Sequence, residues 1–157
     1  MRHYIGWDNG VSGTIGIIGE DVSFFSTPIK RCLNYQKEAS YINRLDVEEL
    51  YLLLGGFEDV FVLLERPMVN PKMFKSSTSA LRCFEASLVV LETLRYPYEV
   101  IDSKVWQGFM LPNGVKGDAL KFASLEVGNR LFPQFTSHKH PDRDGLLMAE
   151  FGRRKNY

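Results

Sequence analysis

The amino-acid sequence predicts an α/β domain: a mixed sheet with three antiparallel N-terminal strands followed by parallel strands, and helices on both faces. Two observations carry this expectation. Three short β-rich runs come first with no helical pattern among them, and strand-like and helix-like patterns alternate after the wholly apolar run at 60–64. Strands first and alternation afterwards describe a sheet whose faces are covered by helices.

Taken in order, Tyr4-Ile5-Gly6-Trp7 leads into Asp8-Asn9-Gly10, Thr14-Ile15-Gly16-Ile17-Ile18-Gly19 follows, and Val22-Ser23-Phe24-Phe25 closes the group. Short apolar runs broken by Gly, Asn and Asp predict an antiparallel meander with tight turns. Residues 27–45 are polar and mixed and contain Pro28, so a loop or weak edge element is expected. Asp46 and Glu49 have the spacing of a capping box, and Leu50, Leu53 and Leu54 before Gly55-Gly56 predict a helix near 47–54. The run at 60–64 suits a strand buried on both faces, ending at Glu65-Arg66-Pro67. Leu81, Phe84, Leu88, Leu91 and Leu94 recur at helical steps and predict one long amphipathic helix over 79–94. Residues 98–101 read as a short strand, with Asp102-Ser103 starting a helix through Val105, Trp106 and Gln107. A helix over 118–131 is stopped by Pro133, and the last helix is expected from Asp142 through Leu147, Met148 and Phe151.

The 157 residues, 45% of them hydrophobic, suit one domain over 1–157. No apolar run approaches the roughly 18 residues of a membrane span, and the start reaches Asp8 without an apolar leader, so no secretion signal is expected. Cys32 and Cys83 have neither zinc-site spacing nor disulfide density, which points to reduced thiols in the cytoplasm. Nineteen basic residues balance nineteen acidic ones. Nucleic acid could then be held only by a local basic patch, not by bulk charge.

Four carboxylates stand at element ends. Asp8 follows the first strand, where Asp-Asn-Gly is also ordinary turn chemistry. Glu65 ends the most apolar strand, where a charge is costly unless water, a cation or Arg66 offsets it. Asp142 and Asp144 open the last helix, where acidic groups also favour the macrodipole. Because an open α/β sheet gathers such termini at one edge, the four together suggest a hard-oxygen site for Mg²⁺ or Mn²⁺ rather than zinc. Two such ions about 4 Å apart can serve phosphodiester hydrolysis, making the substrate a nucleic acid.

Asp8 within Ile5-Gly6-Trp7-Asp8-Asn9-Gly10, Glu65 within Val62-Leu63-Leu64-Glu65-Arg66-Pro67, and Asp144 within Asp142-Arg143-Asp144-Gly145-Leu146-Leu147 resemble the ribonuclease H-like nucleases. More narrowly, they look like RuvC-type Holliday junction resolvases of bacteria and phages. Val105-Trp106-Gln107, Lys121 with Ser124, and Leu131-Phe132-Pro133 are similar to stretches of the same group, so the resemblance runs through nearly the whole chain in order. It implies a ribonuclease H-like mixed sheet and a two-metal endonuclease that acts as a homodimer on four-way DNA junctions. Symmetric nicks would leave 5′-phosphate and 3′-hydroxyl ends. By the same resemblance Asp8 would bridge both ions, Glu65 hold one and Asp144 the other. The family's fourth position falls on Pro141 here, so either Asp142 or His140 fills that role.

Other residues have both plain and functional readings. Lys121 and His140 are auxiliary candidates at the site, and His138 suits a solvated loop as well as a proton-moving one. Lys72, Lys75 and Arg82 follow Glu65 and suit phosphate contact or an ordinary charged surface, as do Lys116 and the Arg153-Arg154-Lys155 tail. Met68, Met73 and Phe74 could wedge between bases or fill core or dimer contacts. Trp106 reads as a core residue. The competing functions are a nuclease of other branched DNA or of RNA/DNA, a DNA-binding protein without catalysis, and a nucleotide-binding module like the sugar kinases and actin-like ATPases. The last would use Asp8-Asn9-Gly10 and Gly13-Thr14, but 157 residues make one lobe where those proteins need two.

Overall fold

A computed structural model describes residues 1–157. Strands β1 (His3–Trp7), β2 (Thr14–Ile18) and β3 (Val22–Ser26) form the expected antiparallel meander. On its other side β1 pairs in parallel with β6 (Val60–Glu65), and β6 with β7 (Tyr98–Ile101), giving the order β3-β2-β1-β6-β7. Between them in sequence lie β4 (Ile29–Leu33), β5 (Tyr41–Leu45) and helix α1 (Val47–Leu54). Helix α2 (Phe74–Leu94) follows β6, and α3 (Ser103–Met110), α4 (Ala119–Leu131) and α5 (Asp144–Lys155) follow β7.

The pleat sorts side chains by parity. Ile5, Trp7, Ile15, Ile17, Val60, Val62 and Leu64 pack with Leu50, Leu54, Val90 and Leu91 of α1 and α2. Leu63 and Ile101 face the other way, onto Trp106 of α3, Val127 of α4 and Leu147 and Met148 of α5. Every residue of α5 from Gly145 to Gly152 is buried. Glycines permit that depth. A Cβ on Gly6 would lie 2.2 Å from the Gly145 carbonyl oxygen, and one on Gly16 2.5 Å from the Leu146 Cα, so any larger residue at either position would lift the helix off the sheet.

Three expectations need correction. The 27–45 segment is a two-stranded hairpin, β4 with β5, outside the main sheet. Asn34 and Ser40 close its turn, the Asn34 amide donating to the Ser40 hydroxyl at 2.8 Å. Its strands show almost no alternation because Leu45 is their one buried residue. Helix α2 begins at Phe74 rather than residue 79, its first turns being polar and mostly exposed and therefore lacking an apolar stripe. Helix α5 begins at Asp144 rather than Asp142, because Arg143 is held in a non-helical conformation. The capping expectation at α1 holds in half: Asp46 accepts from the Glu49 N–H at 3.2 Å.

Candidate metal centre

The parallel strands end at one edge, and register decides which side chains meet there. Trp7 pairs with Leu64, so Asp8 and Glu65 occupy the next rung. Parity turns both to the α5 face, opposite Trp7 and Leu64. The start of α5 reaches the same place through Thr14: its hydroxyl accepts from the Gly145 N–H at 2.9 Å, and its carbonyl accepts from the Asp8 N–H at 3.0 Å. One buried threonine thus ties Asp8 to the helix that carries Asp144.

Asp8, Asp142 and Asp144 each offer a carboxylate oxygen within 4.8 Å of the others. Glu65 stands beside this trio, and its Oε2 accepts from the Trp106 indole N–H at 2.7 Å. Burial, then the charges of Glu65, Asp144 and Asp142, push Asp8 well above the usual carboxylate range. Burial, with Asp144 and Asp142, raises Glu65 to about 7 against the Trp106 hydrogen bond. Burial and Asp142 raise Asp144 to about 6, opposed by the Ser124 hydroxyl, His140 and Lys121. Four carboxylates therefore share a space in which Lys121 acts on both Asp8 and Asp144, and His140 on Asp144 as well. Negative charge in excess, displayed only on carboxylate oxygens and without thiols, is the donor set of a hard divalent cation. The residues fit Mg²⁺ or Mn²⁺.

The surrounding groups hold the acids in place. The Ser124 hydroxyl donates to Asp144 and accepts from the Arg143 N–H. His140 lies outside the trio: its Nε2 bonds the Ser12 carbonyl at 3.0 Å, and its Nδ1 lies 3.3 Å from an Asp142 carboxylate oxygen. Between the two alternatives for the fourth position, Asp142 joins the cluster and His140 braces it. Arg143, fully buried, donates to the carbonyls of Phe135, His138, His140 and Asp142 and to Asn129 Oδ1. It fastens the loop that delivers Asp142, and Gly128 leaves room for its stem. His138 packs edge-on against Phe24 rather than standing in solvent.

Thr14 and Arg143 went unnoticed in the sequence as site residues. A cation flanked by two acids was the available sign for Arg143; nothing local marked Thr14. The basic candidates scatter. Lys75 and Arg82 line a groove with the β4–β5 hairpin, Lys72 sits exposed in the β6–α2 loop, and Lys116 is exposed before α4. Arg153 and Arg154 lie at the opposite end of α5 from Asp144 and are engaged by Glu150, each at 2.7 Å. Lys155 stands over the Phe109 ring at 4.3 Å. Met68, Met73 and Phe74 are exposed around the loop after Glu65.

No protein-family model matches the chain, and no curated protein matches it in sequence. Solved structures do. RuvC of T. thermophilus in complex with Holliday junction substrate matches with a TM-score of 0.64 at 11% identity, over 99% of this chain and 95% of that one. A second Thermus thermophilus RuvC structure matches with a TM-score of 0.55 at 13% identity, over 99% and 97%. At such identities the likeness establishes architecture, and the chain has the ribonuclease H-like α/β fold of RuvC.

Proposed function

We propose that this chain is a divalent-metal-dependent endonuclease that resolves four-way DNA junctions as a homodimer, by paired symmetric nicks leaving 5′-phosphate and 3′-hydroxyl ends. The observation that carries the reading is the meeting of Asp8, Asp142 and Asp144 within 4.8 Å at the sheet edge, with Glu65 on the adjoining rung. Asp8 would help hold both ions, Glu65 one, and Asp144 with Asp142 the other. Bound there, two Mg²⁺ or Mn²⁺ ions would supply charge neutralisation at the scissile phosphate and activation of the attacking water.

The chain's own residues set the geometry. Trp106 fixes one Glu65 oxygen and leaves the other free, Ser124 orients Asp144, and His140 and Arg143 hold the Asp142 loop. Lys121 is exposed and near enough to Asp8 and Asp144 to meet a phosphate at the cluster. Lys72, Lys75, Arg82 and Lys116 supply the remaining backbone contacts. A two-fold substrate calls for a two-fold protein, and α2, with Leu81 and Val89 exposed at 47% and 48%, offers the apolar face for it. Light scattering with and without DNA tests the dimer, and a monomer under both conditions removes it. The decisive assay incubates the protein with labelled four-way, flap, duplex and RNA/DNA hybrid substrates, with Mg²⁺ and with chelator. Metal-dependent cutting of the four-way junction above all others is expected. Equal cutting of linear duplex overturns the substrate, and cutting that survives chelation overturns the chemistry.

A further inference from the structure

The β4–β5 hairpin and the first half of α2 enclose a groove of about 710 Å³ that the metal centre does not use. Its lining begins at Val11, three residues beyond Asp8, and continues past Lys75 and Arg82 to Tyr35 and Tyr41. Both tyrosines are aromatic surface left in water, 66% and 62% exposed. Guanidinium groups accompany them: Arg31 lies 4.4 Å from the Tyr41 ring centroid, and Arg44 and Arg82 lie 5.8 and 5.9 Å from that of Tyr35. Lys30, Arg31, Lys37 and Arg44 face one acid, Glu38, between Pro28 and Leu45, in a chain whose formal charge is zero. Glu85 is the carboxylate beside Arg44 and Arg82. None of these cations forms an ion pair, and the Arg82 Nε is buried with no hydrogen-bond partner.

Unpaired cations interleaved with exposed aromatic faces match one ligand chemistry well. Phosphates take the charge, and unstacked bases of any sequence stack on the rings. An acidic peptide would use the cations and leave the tyrosine faces wet. We propose that this groove binds a single-stranded, unstacked stretch of nucleic acid, with Tyr35 and Tyr41 as stacking platforms, Lys75 and Arg82 of its lining on the phosphates, and Arg31 and Arg44, beside the two rings, adding positive charge at its margins. The proposal rests on the nucleic-acid reading of the metal centre and extends it: a strand leaving Asp8 past Val11 enters the hairpin groove.

The test measures fluorescence anisotropy of a labelled oligothymidylate with the full chain in chelator, alongside junction cleavage in Mg²⁺. Tyr35→Ala is expected to weaken single-strand binding about tenfold while Tyr35→Phe retains it. Arg31→Ala and Arg44→Ala should each lower the slope of log affinity against log salt by about 0.7. Thermal melts check that the variants fold. Wild-type protein that ignores the single strand, or Tyr35→Ala binding it as tightly as wild type, overturns the groove even if junctions are cleaved. Tyrosine-dependent strand binding without junction cleavage upholds the groove and overturns the resolvase.

Discussion

The two ends of α5 treat buried acids in opposite ways. At its C-terminal end Glu150, 4% exposed, receives three hydrogen bonds from Arg153 and Arg154. Burial pushes its carboxyl up, but those arginines hold it below the usual range. At the N-terminal end Asp144 has a hydroxyl for a partner and acids for neighbours, and rises to about 6. A structural acid is neutralised by its own chain, whereas an acid set aside for a cation from outside is left in excess charge. This asymmetry within one helix locates the working end of the molecule.

The largest effect is expected at the acidic end, from Asp8→Asn. It is expected to leave folding and junction binding intact while lowering Mg²⁺-dependent cleavage roughly a thousandfold or more in a gel assay. Retained cleavage would remove the mechanism.

Next in size is the packing that lets α5 approach the sheet. Gly6→Ala places a methyl 2.2 Å from the Gly145 carbonyl oxygen, and a loss of about 3 kcal/mol or more is expected by chemical denaturation. A stability change under 1 kcal/mol would mean that α5 is free to shift.

Metal should then reverse the electrostatic penalty. With Glu65 raised from 4.5 to about 7 and Asp144 from 3.8 to about 6, the folded metal-free protein binds more protons than the unfolded chain between roughly pH 4 and 7. Stability therefore falls as pH rises through that window. Mg²⁺ at a hundred times its dissociation constant should raise the melting temperature by about 5–10 °C at pH 7.5, and by less at pH 5. An equal rise at both values would place the ion elsewhere.

The smallest effect lies at the paired end. Glu150→Ala should cost about 1–2 kcal/mol, since its arginines are half exposed and recover water, and Asp144→Asn should stabilise the metal-free protein instead. Loss of stability in both would erase the distinction between the two ends.

Much of this was legible in the residues. The meander, the buried strand ending in Glu65, the helix over α4 and the order of the acidic positions follow from patterns a few residues long, which local sterics and burial periodicity impose. The hairpin was not, because strands exposed on both faces have no alternation to show. The start of α5 was also displaced, since Arg143 is pinned by carbonyls that lie up to eight residues away.

Local residue patterns are enough to specify the kinds of donor and their places at element ends: oxygen ligands, no thiol set, and carboxylates after strands and before a helix. Which of them meet depends on long-range packing. Parallel register sets Asp8 beside Glu65, Thr14 ties Asp8 to α5 across 131 residues of chain, and the glycines of β1 and β2 let that helix approach. Those decisions depend on contacts between distant segments, which no local pattern encodes; the same acids on a helix held a few ångströms higher would remain ordinary caps.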